Sequence, residues 1–479
     1  MAPDSWHVAV LGGGMTGLSA AFYLYRLAEE RGLPIRVTLL EASGRLGGRI
    51  DTLRKDGYVI ERGPDSFLAR KTAMIELARD LGMEDELVGI SSLAGKTMIV
   101  HRGRLHPMPQ GLQMGIPTDL GAFARTGLIS PLGKLRALCD LVIPRRRGDG
   151  DESVGEFLRR RLGREVVERI AEPLLAGIHA GDLDRLSLRA TLPQFAQLER
   201  THASLIRGLT ATRRQAKPPQ LPPEAQGKVF LSFRRGLLSV VEALDMRLRR
   251  YGCDIRLGVA ARALEKGEPD GAPYRIVTED GTGLPVHAVI VAVPAPAAAS
   301  LLEAHVDTEA MRKIDYVSVA NVVFGYDARH FGHMLDGSGF LVPRGEGRTI
   351  TASTWTSTKW PHTAPAGKRL VRCYVGRAGD EAAVDLPDDA LVHAVKRDLR
   401  ELMGLEAKPE LTLITRLPRS MPQYAVGHQE RIAAFRRELS ARLPGVLAAG
   451  AAFEGVGLPD CVAQGRKAAE QLTDMLARR

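Results

Sequence analysis

The feature that most constrains this fold is a glycine-rich segment that directly follows an apolar run near the N-terminus. Residues 8–11 have the composition of a short buried strand. Gly12, Gly14 and Gly17 follow in the spacing G-x-G-x-x-G, at the start of a helical pattern. Gly12 permits a tight turn, Gly14 lets a pyrophosphate approach the backbone, and Gly17 allows close packing of helix on strand. This order predicts a dinucleotide-binding unit.

A second apolar run, residues 36–40, ends in Glu41. A carboxylate at this place accepts hydrogen bonds from an adenosine ribose and repels a 2'-phosphate. Residues 42–49 then add Arg45, Arg49 and a pair of glycines beside the expected pyrophosphate. A glycine-rich turn alone also serves plain helix packing, but the acid and the two arginines favour a bound cofactor.

The joined motif, from Glu41 to Arg49, resembles the flavoprotein amine oxidase superfamily, in which E-x-x-x-R-x-G-G-R follows the second strand and holds FAD. The chain resembles most closely the porphyrinogen oxidases of that superfamily, over nearly its whole length. Residues 65–71 resemble the form found in Gram-positive bacteria. The other segments that carry the resemblance are residues 172–182, 187–195 and 316–325 and the C-terminal signature at 454–461.

The resemblance implies an α/β (α+β) fold with three parts. They are a discontinuous Rossmann-like FAD domain of the glutathione-reductase/p-hydroxybenzoate-hydroxylase type, a mixed-sheet substrate domain and a helical domain. The FAD domain would comprise residues 1–68, 225–300 and 415–479. The substrate domain would comprise residues 69–94, 206–224 and 301–414, and the helical domain residues 95–205. Strand patterns near residues 254–259, 288–293 and 446–450 would return the chain to the first domain.

The resemblance also implies which residues contact FAD. A second glycine turn before the C-terminal helix would face the isoalloxazine end of the cofactor, and the backbone of Val259 would meet the adenine. Because the surroundings of Cys461 lack the flavinylation pattern of amine oxidases, FAD would be bound non-covalently. The implied cofactor-binding residues are Gly12, Gly13, Gly14, Met15, Thr16, Gly17, Glu41, Ala42, Arg45, Gly48, Arg49, Arg62, Gly63, Pro64, Asp65, Val259, Val456, Gly457 and Leu458.

Enzymes of the Gram-positive form chiefly oxidise coproporphyrinogen III to coproporphyrin III in haem biosynthesis. The resemblance therefore implies an oxygen-dependent FAD oxidoreductase that acts on CH–CH bonds and releases hydrogen peroxide. The flavin would supply the redox chemistry, so the protein chiefly has to position the macrocycle. The same pathway implies a transient handover of product to a ferrochelatase. The sequence contains no recognisable acid/base residue, nucleophile triad or metal motif.

Three alternatives stay open on the sequence alone. Protoporphyrinogen IX, with two propionates and two vinyl groups, could replace coproporphyrinogen III, which has four propionates. Another flavin amine oxidase or a carotenoid desaturase would share the N-terminal motifs, but a different signature is expected where residues 455–460 stand. A non-enzymatic flavin-binding or membrane-associated protein is suggested only by basic helices.

Propionates need cationic partners, and three residues are candidate substrate ligands. They are Arg70, Lys71 and Lys96, of which the first two follow the turn predicted beside the flavin. The alternative for Lys71 is a solvated position on a helix that starts near Thr72. We expect His179 to be an internally hydrogen-bonded residue rather than a substrate contact.

The chain is basic, with a formal net charge of +10 and an isoelectric point near 9.5. This charge could serve nucleic acid, an anionic membrane surface or a substrate with several carboxylates, but no nucleic-acid-binding module is recognisable. Residues 120–147 read as amphipathic helices with a basic rim, which either pack internally or contact the membrane periphery. Four dispersed cysteines and the lack of a signal peptide lead us to expect a cytoplasmic protein, with contact to the inner face of the cell membrane left open. Oligomeric state cannot be read from the sequence.

Overall fold

The strands predicted for the dinucleotide unit lie side by side in one parallel sheet of the computed structural model. The structure describes residues 5–215, 221–267, 271–331 and 335–478, so residues 216–220 of the predicted segment 206–224 lie outside the described part. The strands in chain order are β1 (Trp6–Leu11), β2 (Ile35–Glu41), β3 (Thr52–Lys55), β4 (Tyr58–Glu61), β5 (Phe67–Leu68), β6 (Leu87–Gly89), β7 (Thr97–His101), β8 (Arg104–Pro107), β9 (Leu112–Gln113), β10 (Ile116–Pro117), β11 (Phe230–Phe233), β12 (Asp254–Leu257), β13 (Ala261–Lys266), β14 (Tyr274–Thr278), β15 (Gly283–Val286), β16 (Ala288–Val291), β17 (Tyr316–Asp327), β18 (Gly339–Leu341), β19 (Ile350–Thr354), β20 (Lys368–Val375), β21 (Leu411–Pro422) and β22 (Val446–Ala448).

Helices cover both faces of that sheet and build a separate helical layer. In chain order they are α1 (Met15–Arg31), α2 (Ala73–Asp80), α3 (Leu120–Arg125), α4 (Pro131–Leu138), α5 (Val154–Leu162), α6 (Arg164–Val166), α7 (Glu172–His179), α8 (Leu188–Thr191), α9 (Pro193–His202), α10 (Leu205–Gln215), α11 (Leu238–Arg250), α12 (Ala295–Leu302), α13 (Glu309–Arg312), α14 (Thr356–Lys359), α15 (Asp388–Met403), α16 (His428–Arg442) and α17 (Leu458–Ala477).

The parallel sheet has the strand order β12-β2-β1-β16-β22. Strand β1 is buried along its whole length, as expected for a strand covered on both faces. Because the strands are parallel, their carboxyl ends meet at one edge. The glycine turn after β1, the acidic end of β2 and the loops after β16 and β22 therefore gather at that edge.

A second, seven-stranded sheet has the order β21-β17-β20-β19-β18-β7-β8. It is mixed, because β18 pairs with β7 in parallel and the other pairs are antiparallel. Helix α15 covers one face through apolar residues that include Leu391, Val395 and Leu399. The two sheets confirm the predicted α/β architecture with a mixed second sheet.

Three segments pack against parts of the protein other than the domains predicted for them. Residues 97–107, placed in the helical segment 95–205, form β7 and β8 of the mixed sheet, and buried Val100 joins the core around that sheet while Ile99 packs against the helical layer. Helix α10 buries Leu205 and Ile206 in the helical layer, and α2 buries Met74 against the dinucleotide unit. The buried apolar residues described for these two helices therefore pack outside the core of the mixed sheet to which their segments were assigned. The division into three domains as a whole stays a prediction.

One fully buried ion pair ties the helical layer together. Arg161 Nε lies 2.8 Å from Asp140 Oδ1, and both side chains are completely shielded from solvent. Asp140 Oδ2 also accepts hydrogen bonds from the Ser204 hydroxyl and the Ile206 amide, at 2.6 and 2.9 Å. The Arg161 guanidinium donates to the carbonyl of Ile143 at 2.9 Å. The pair thus connects three separate segments of this layer, around residues 140–143, 161 and 204–206.

Asp140→Asn should lower the stability of the protein by about 3–5 kcal/mol, because Arg161 would remain as an unpaired buried charge. Urea unfolding followed by circular dichroism should show a clearly lower midpoint. Asp336→Asn is the matched control, since its ion pair with Lys96 is largely exposed and should be worth less than about 1 kcal/mol. Equal midpoints for the two variants would contradict the role of the buried pair.

Candidate active site

One large cavity opens at the edge where the parallel strands end and continues to the mixed sheet. Its volume is about 2010 Å³, larger than the ~300–1,000 Å³ of a typical site for one small ligand. The glycine turn lines one end, whereas Asn321 and Tyr374 of the mixed sheet line another part of the wall. The cavity therefore has room for a dinucleotide and a second, bulky ligand in contact with each other.

The dinucleotide end is formed by the N-terminus of α1. Gly14 is the N-cap and has no side-chain cap, so the amides of the first helical turn face the cavity without an internal side-chain acceptor. A Cβ on Gly48 would lie 3.1 Å from the Cα of Gly14, so the two glycine turns touch backbone to backbone. This cradle fits a pyrophosphate at a positive helix end.

Glu41 is held rigidly beside this cradle. Its Oε2 accepts a hydrogen bond from the Gly13 amide at 2.7 Å, and its Oε1 accepts one from the Ser43 amide at 2.8 Å. Because a carboxylate oxygen can accept more than one hydrogen bond, both oxygens can still receive ribose hydroxyl protons. The acid predicted to bind the adenosine ribose thus lines the cavity in a fixed orientation.

The two arginines of the motif have different roles. Arg45 donates to the carbonyls of Ile50 and Gly48, both at 2.8 Å, and so stabilises the second glycine turn. Arg49 lines the cavity, and enclosure by the protein lowers the pKa of its guanidinium. Among the described residues no carboxylate pairs with Arg49, and its side chain donates only to the carbonyl of Arg419, at 3.4 Å. Arg49 is therefore the arginine that can neutralise a phosphate.

A second helix also begins at the cavity, as predicted. Helix α17 has Gly457 as an N-cap without a side-chain cap. The preceding loop is anchored by Tyr424, whose hydroxyl accepts a hydrogen bond from the Gly455 amide at 2.9 Å. Gly465 lets α17 pack directly on α1, because a Cβ there would overlap the carbonyl oxygen of Thr16. Two positive helix ends thus converge on one space.

Buried charged groups form the polar wall between the two sheets. Burial raises the pKa of Asp65, but Lys359 and Arg372 outweigh it and bring the pKa down to about 2. Lys359 Nζ lies 3.4 Å from Asp65 Oδ2, and an Arg372 Nη atom donates to the carbonyl of Gly63 at 2.5 Å. Within the described residues, Asn321 Oδ1 and Arg372 Nε are buried without a hydrogen-bond partner. Such atoms are available to a bound ligand.

A further polar group lies near the start of α17. Lys71 Nζ donates to both carboxylate oxygens of Asp460 at 2.7 Å. His179 lines the same cavity, and burial, assisted by Lys71, lowers its pKa to about 4. No hydrogen bond to the His179 ring occurs within the described residues, so the expected internal hydrogen bond is absent. His179 is a neutral wall residue at neutral pH.

Most of the predicted cofactor residues line the cavity. The exceptions are Gly13 and Gly17, which lie beneath the turn, and Arg62, whose side chain is 3.0 Å from Asp51 and points elsewhere. Of the predicted substrate cations, Arg70 and Lys71 line the cavity, but exposed Lys96 pairs with Asp336 and does not. The predicted cofactor residues that line the cavity are Gly12, Gly14, Met15, Thr16, Glu41, Ala42, Arg45, Gly48, Arg49, Gly63, Pro64, Asp65, Val259, Val456, Gly457 and Leu458.

Sequence reasoning missed several residues of the wall. Asn321 and Arg372 are polar residues within largely apolar strands, β17 and β20. A polar residue that interrupts a buried apolar strand could have indicated a position in the cavity wall. Lys359 and Lys228 stand in segments without a comparable pattern. Phe230, on β11, lies 5.4 Å from Lys359 Nζ in a cation–π contact that only the tertiary structure reveals.

Gly17→Ala should weaken dinucleotide binding by about tenfold to a hundredfold, because the new Cβ would overlap the Gly12 carbonyl and displace the turn. The measurement is the ratio of flavin to protein absorbance after purification, followed by titration with FAD. Gly44→Ala is the control in the same motif, since a Cβ there meets no atom within 4 Å. Full flavin content in Gly17→Ala would refute the close-packing role.

Comparison with known proteins agrees with this geometry. Residues 15–473 match the family model described as flavin containing amine oxidoreductase. The chain is 44% identical over 468 residues to a coproporphyrinogen III oxidase from Bacillus subtilis (strain 168), with 98% of each chain covered. It is 42% identical to a coproporphyrinogen III oxidase from Staphylococcus aureus, with 97% of this chain and 98% of the relative covered.

A solved structure shows the same fold. The crystal structure of a protein from Exiguobacterium sp. 255-15, provisionally described as a protoporphyrinogen oxidase, is 36% identical to this chain. The TM-score is 0.86, and the match covers 99% of this chain and 100% of the other. The family model and these full-length relatives together show that the chain belongs to the family of flavin-containing amine oxidoreductases.

Proposed function

We propose that this protein is a porphyrinogen oxidase that uses FAD and oxygen to convert coproporphyrinogen III to coproporphyrin III in haem biosynthesis. The observation that carries the proposal is the single cavity that joins the dinucleotide cradle to the wall of the mixed sheet. Its volume suits FAD and a tetrapyrrole together. The names of the full-length relatives at 44% and 42% identity support this substrate class.

The reaction removes six electrons and six hydrogens from the macrocycle. Each molecule of coproporphyrinogen III consumes three molecules of oxygen and yields three of hydrogen peroxide. When bound, FAD supplies the acceptor for the electron pair and hydrogen taken from the macrocycle in each two-electron step. Formation of the aromatic porphyrin supplies the driving force.

The protein's own residues position the macrocycle and exclude water. Phe230 and Leu341 provide apolar wall for a flat ring system. Asp65 carries a negative charge at neutral pH because its pKa is about 2, and it holds Lys359 in place beside Phe230. His179, with a pKa of about 4, adds a neutral surface. The chain orients the substrate and leaves the redox chemistry to the cofactor.

Protoporphyrinogen IX oxidation is the alternative within the same chemistry. The structural relative from Exiguobacterium is provisionally described as acting on that substrate. The cavity favours coproporphyrinogen III, because Arg70 and Lys228 line it without acidic partners among the described residues and four carboxylates are attracted to such cations more strongly than two.

Anaerobic stopped-flow mixing of the yellow protein with each porphyrinogen tests this proposal. Coproporphyrinogen III should bleach the oxidised flavin about tenfold faster than protoporphyrinogen IX, a difference of ~1.4 kcal/mol in the barrier. Porphyrin fluorescence should rise after oxygen is admitted. Faster bleaching by protoporphyrinogen IX would support the alternative substrate, and bleaching by neither would eliminate porphyrinogen oxidation.

We also propose peripheral contact of the helical layer with an anionic membrane surface. Leu132 and Leu135 on α4 are 80% and 63% exposed, and Val142 shortly after the helix is 78% exposed. Arg145 and Arg147 follow and are also exposed. Exposed apolar residues beside cations fit lipid tails beneath anionic headgroups. Within the described residues, no helix combines the length and apolar character needed to cross a membrane.

Co-sedimentation with lipid vesicles tests the membrane contact. The protein should sediment with vesicles that contain equal parts of phosphatidylglycerol and phosphatidylcholine, and less with phosphatidylcholine alone. The double variant Leu132→Ser, Leu135→Ser should bind about tenfold more weakly, because it removes the apolar part of the surface. Met246→Ser, at a 53% exposed position on α11, is the control. No sedimentation of the unaltered protein would refute the contact.

A further inference from the structure

Two cations lie together at one end of the cavity, on a small sheet formed by β5, β11 and β6. Strand β5 pairs with β11 in antiparallel register, and the Ala69 amide extends this pairing with a 3.0 Å hydrogen bond to the Val229 carbonyl. Arg70 and Lys228 are the next residues outward from that hydrogen bond. Both are exposed to solvent and line the cavity, so this end of the strand pair places two positive charges at the cavity wall.

Several other cations of the wall have acidic partners, whereas Arg45 and Arg49 lie at the dinucleotide end and Arg372 lies beside Asp65. Lys71 pairs with Asp460, and Lys359 pairs with Asp65. Arg189 and Arg436, at a further part of the wall, pair with Glu430 and Glu454. Throughout the described part of the chain, neither Arg70 nor Lys228 has an acidic partner. Neighbouring like charges repel each other, so this end of the cavity attracts an anion.

The position of Lys228 is shaped by a neighbouring glycine. A Cβ built on Gly89 of β6 would lie 2.5 Å from Lys228 Cδ and 3.0 Å from Lys228 Nζ. The glycine therefore leaves room for the lysine stem to lie across β6. This packing limits the freedom of a long side chain and keeps its ammonium group at the cavity wall.

We propose that Lys228, with Arg70 beside it, is the binding site for a carboxylate of the substrate. Phe230 lies two residues after Lys228 and also lines the cavity. Lys228 and Phe230 are close in the chain and line the same cavity, so an aromatic wall for the macrocycle adjoins a cationic site for its side chain. This inference rests on the proposed porphyrinogen oxidase function and identifies a residue that selects acidic macrocycles.

The test compares binding of coproporphyrin III with binding of its uncharged tetramethyl ester. Lys228→Met should raise the Kd of the tetra-acid about tenfold or more and leave the Kd of the ester unchanged, as read by porphyrin fluorescence. Lys228→Arg should retain most of the affinity. In turnover of coproporphyrinogen III, Lys228→Met should raise KM and leave kcat nearly unaltered, because the charge acts away from the reacting bridge.

Lys313→Met is the matched control, since Lys313 is an exposed lysine paired with Glu309 on α13 and lies outside the cavity wall. An unchanged Kd for the tetra-acid in Lys228→Met, or equal weakening of acid and ester, would overturn the carboxylate site. Coproporphyrin III is the product of the proposed reaction, so its Kd can be measured without turnover. Failure of the proposed oxidase function would instead appear as an absence of flavin bleaching in the unaltered protein.

Discussion

Close contact between backbones at positions without a Cβ is the constraint on which the site depends. Gly17 brings α1 against its own turn, Gly48 meets Gly14 across the cradle, and Gly465 brings α17 against Thr16. Any side chain at these positions would separate the parts that now touch. Because the contacts hold α1 and α17 together, both helix N-termini face one space, and anionic or electron-rich groups of a cofactor are stabilised there.

The cofactor cradle and the substrate wall follow different physical rules. The cradle is built mainly from main-chain groups, with the side chains of Glu41, Arg45 and Arg49, all contributed by two adjacent strands and their loops. The wall is built from side chains that reach each other from distant parts of the chain, such as Asp65 with Lys359 and Arg372. Two cations and the Ser66 hydroxyl lower the pKa of buried Asp65, so this acid stays ionised.

This difference explains how much could be predicted from the sequence. The parallel strands, the glycine turn and Glu41 were predictable because each is a local pattern with a local physical reason. Lys96 was assigned to the substrate on its charge alone, and the structure places it outside the wall. Lys359 escaped prediction because its role comes from pairing with Asp65, far away in the sequence. The strands β7 and β8 were missed because their burial depends on β18, which follows much later.

The distribution of charge along the cavity gives the substrate an orientation. Near the start of α17 and beside Asp65, each lysine has a carboxylate partner, and His179 is neutral at neutral pH because its pKa is about 4. A ring system without charge can lie there without leaving an ion unpaired. Arg70 and Lys228, by contrast, have no acidic partner among the described residues. A macrocycle with acidic side chains is therefore favoured when its uncharged ring lies against the wall near Asp65 and the start of α17. In that arrangement a carboxylate points toward Arg70 and Lys228.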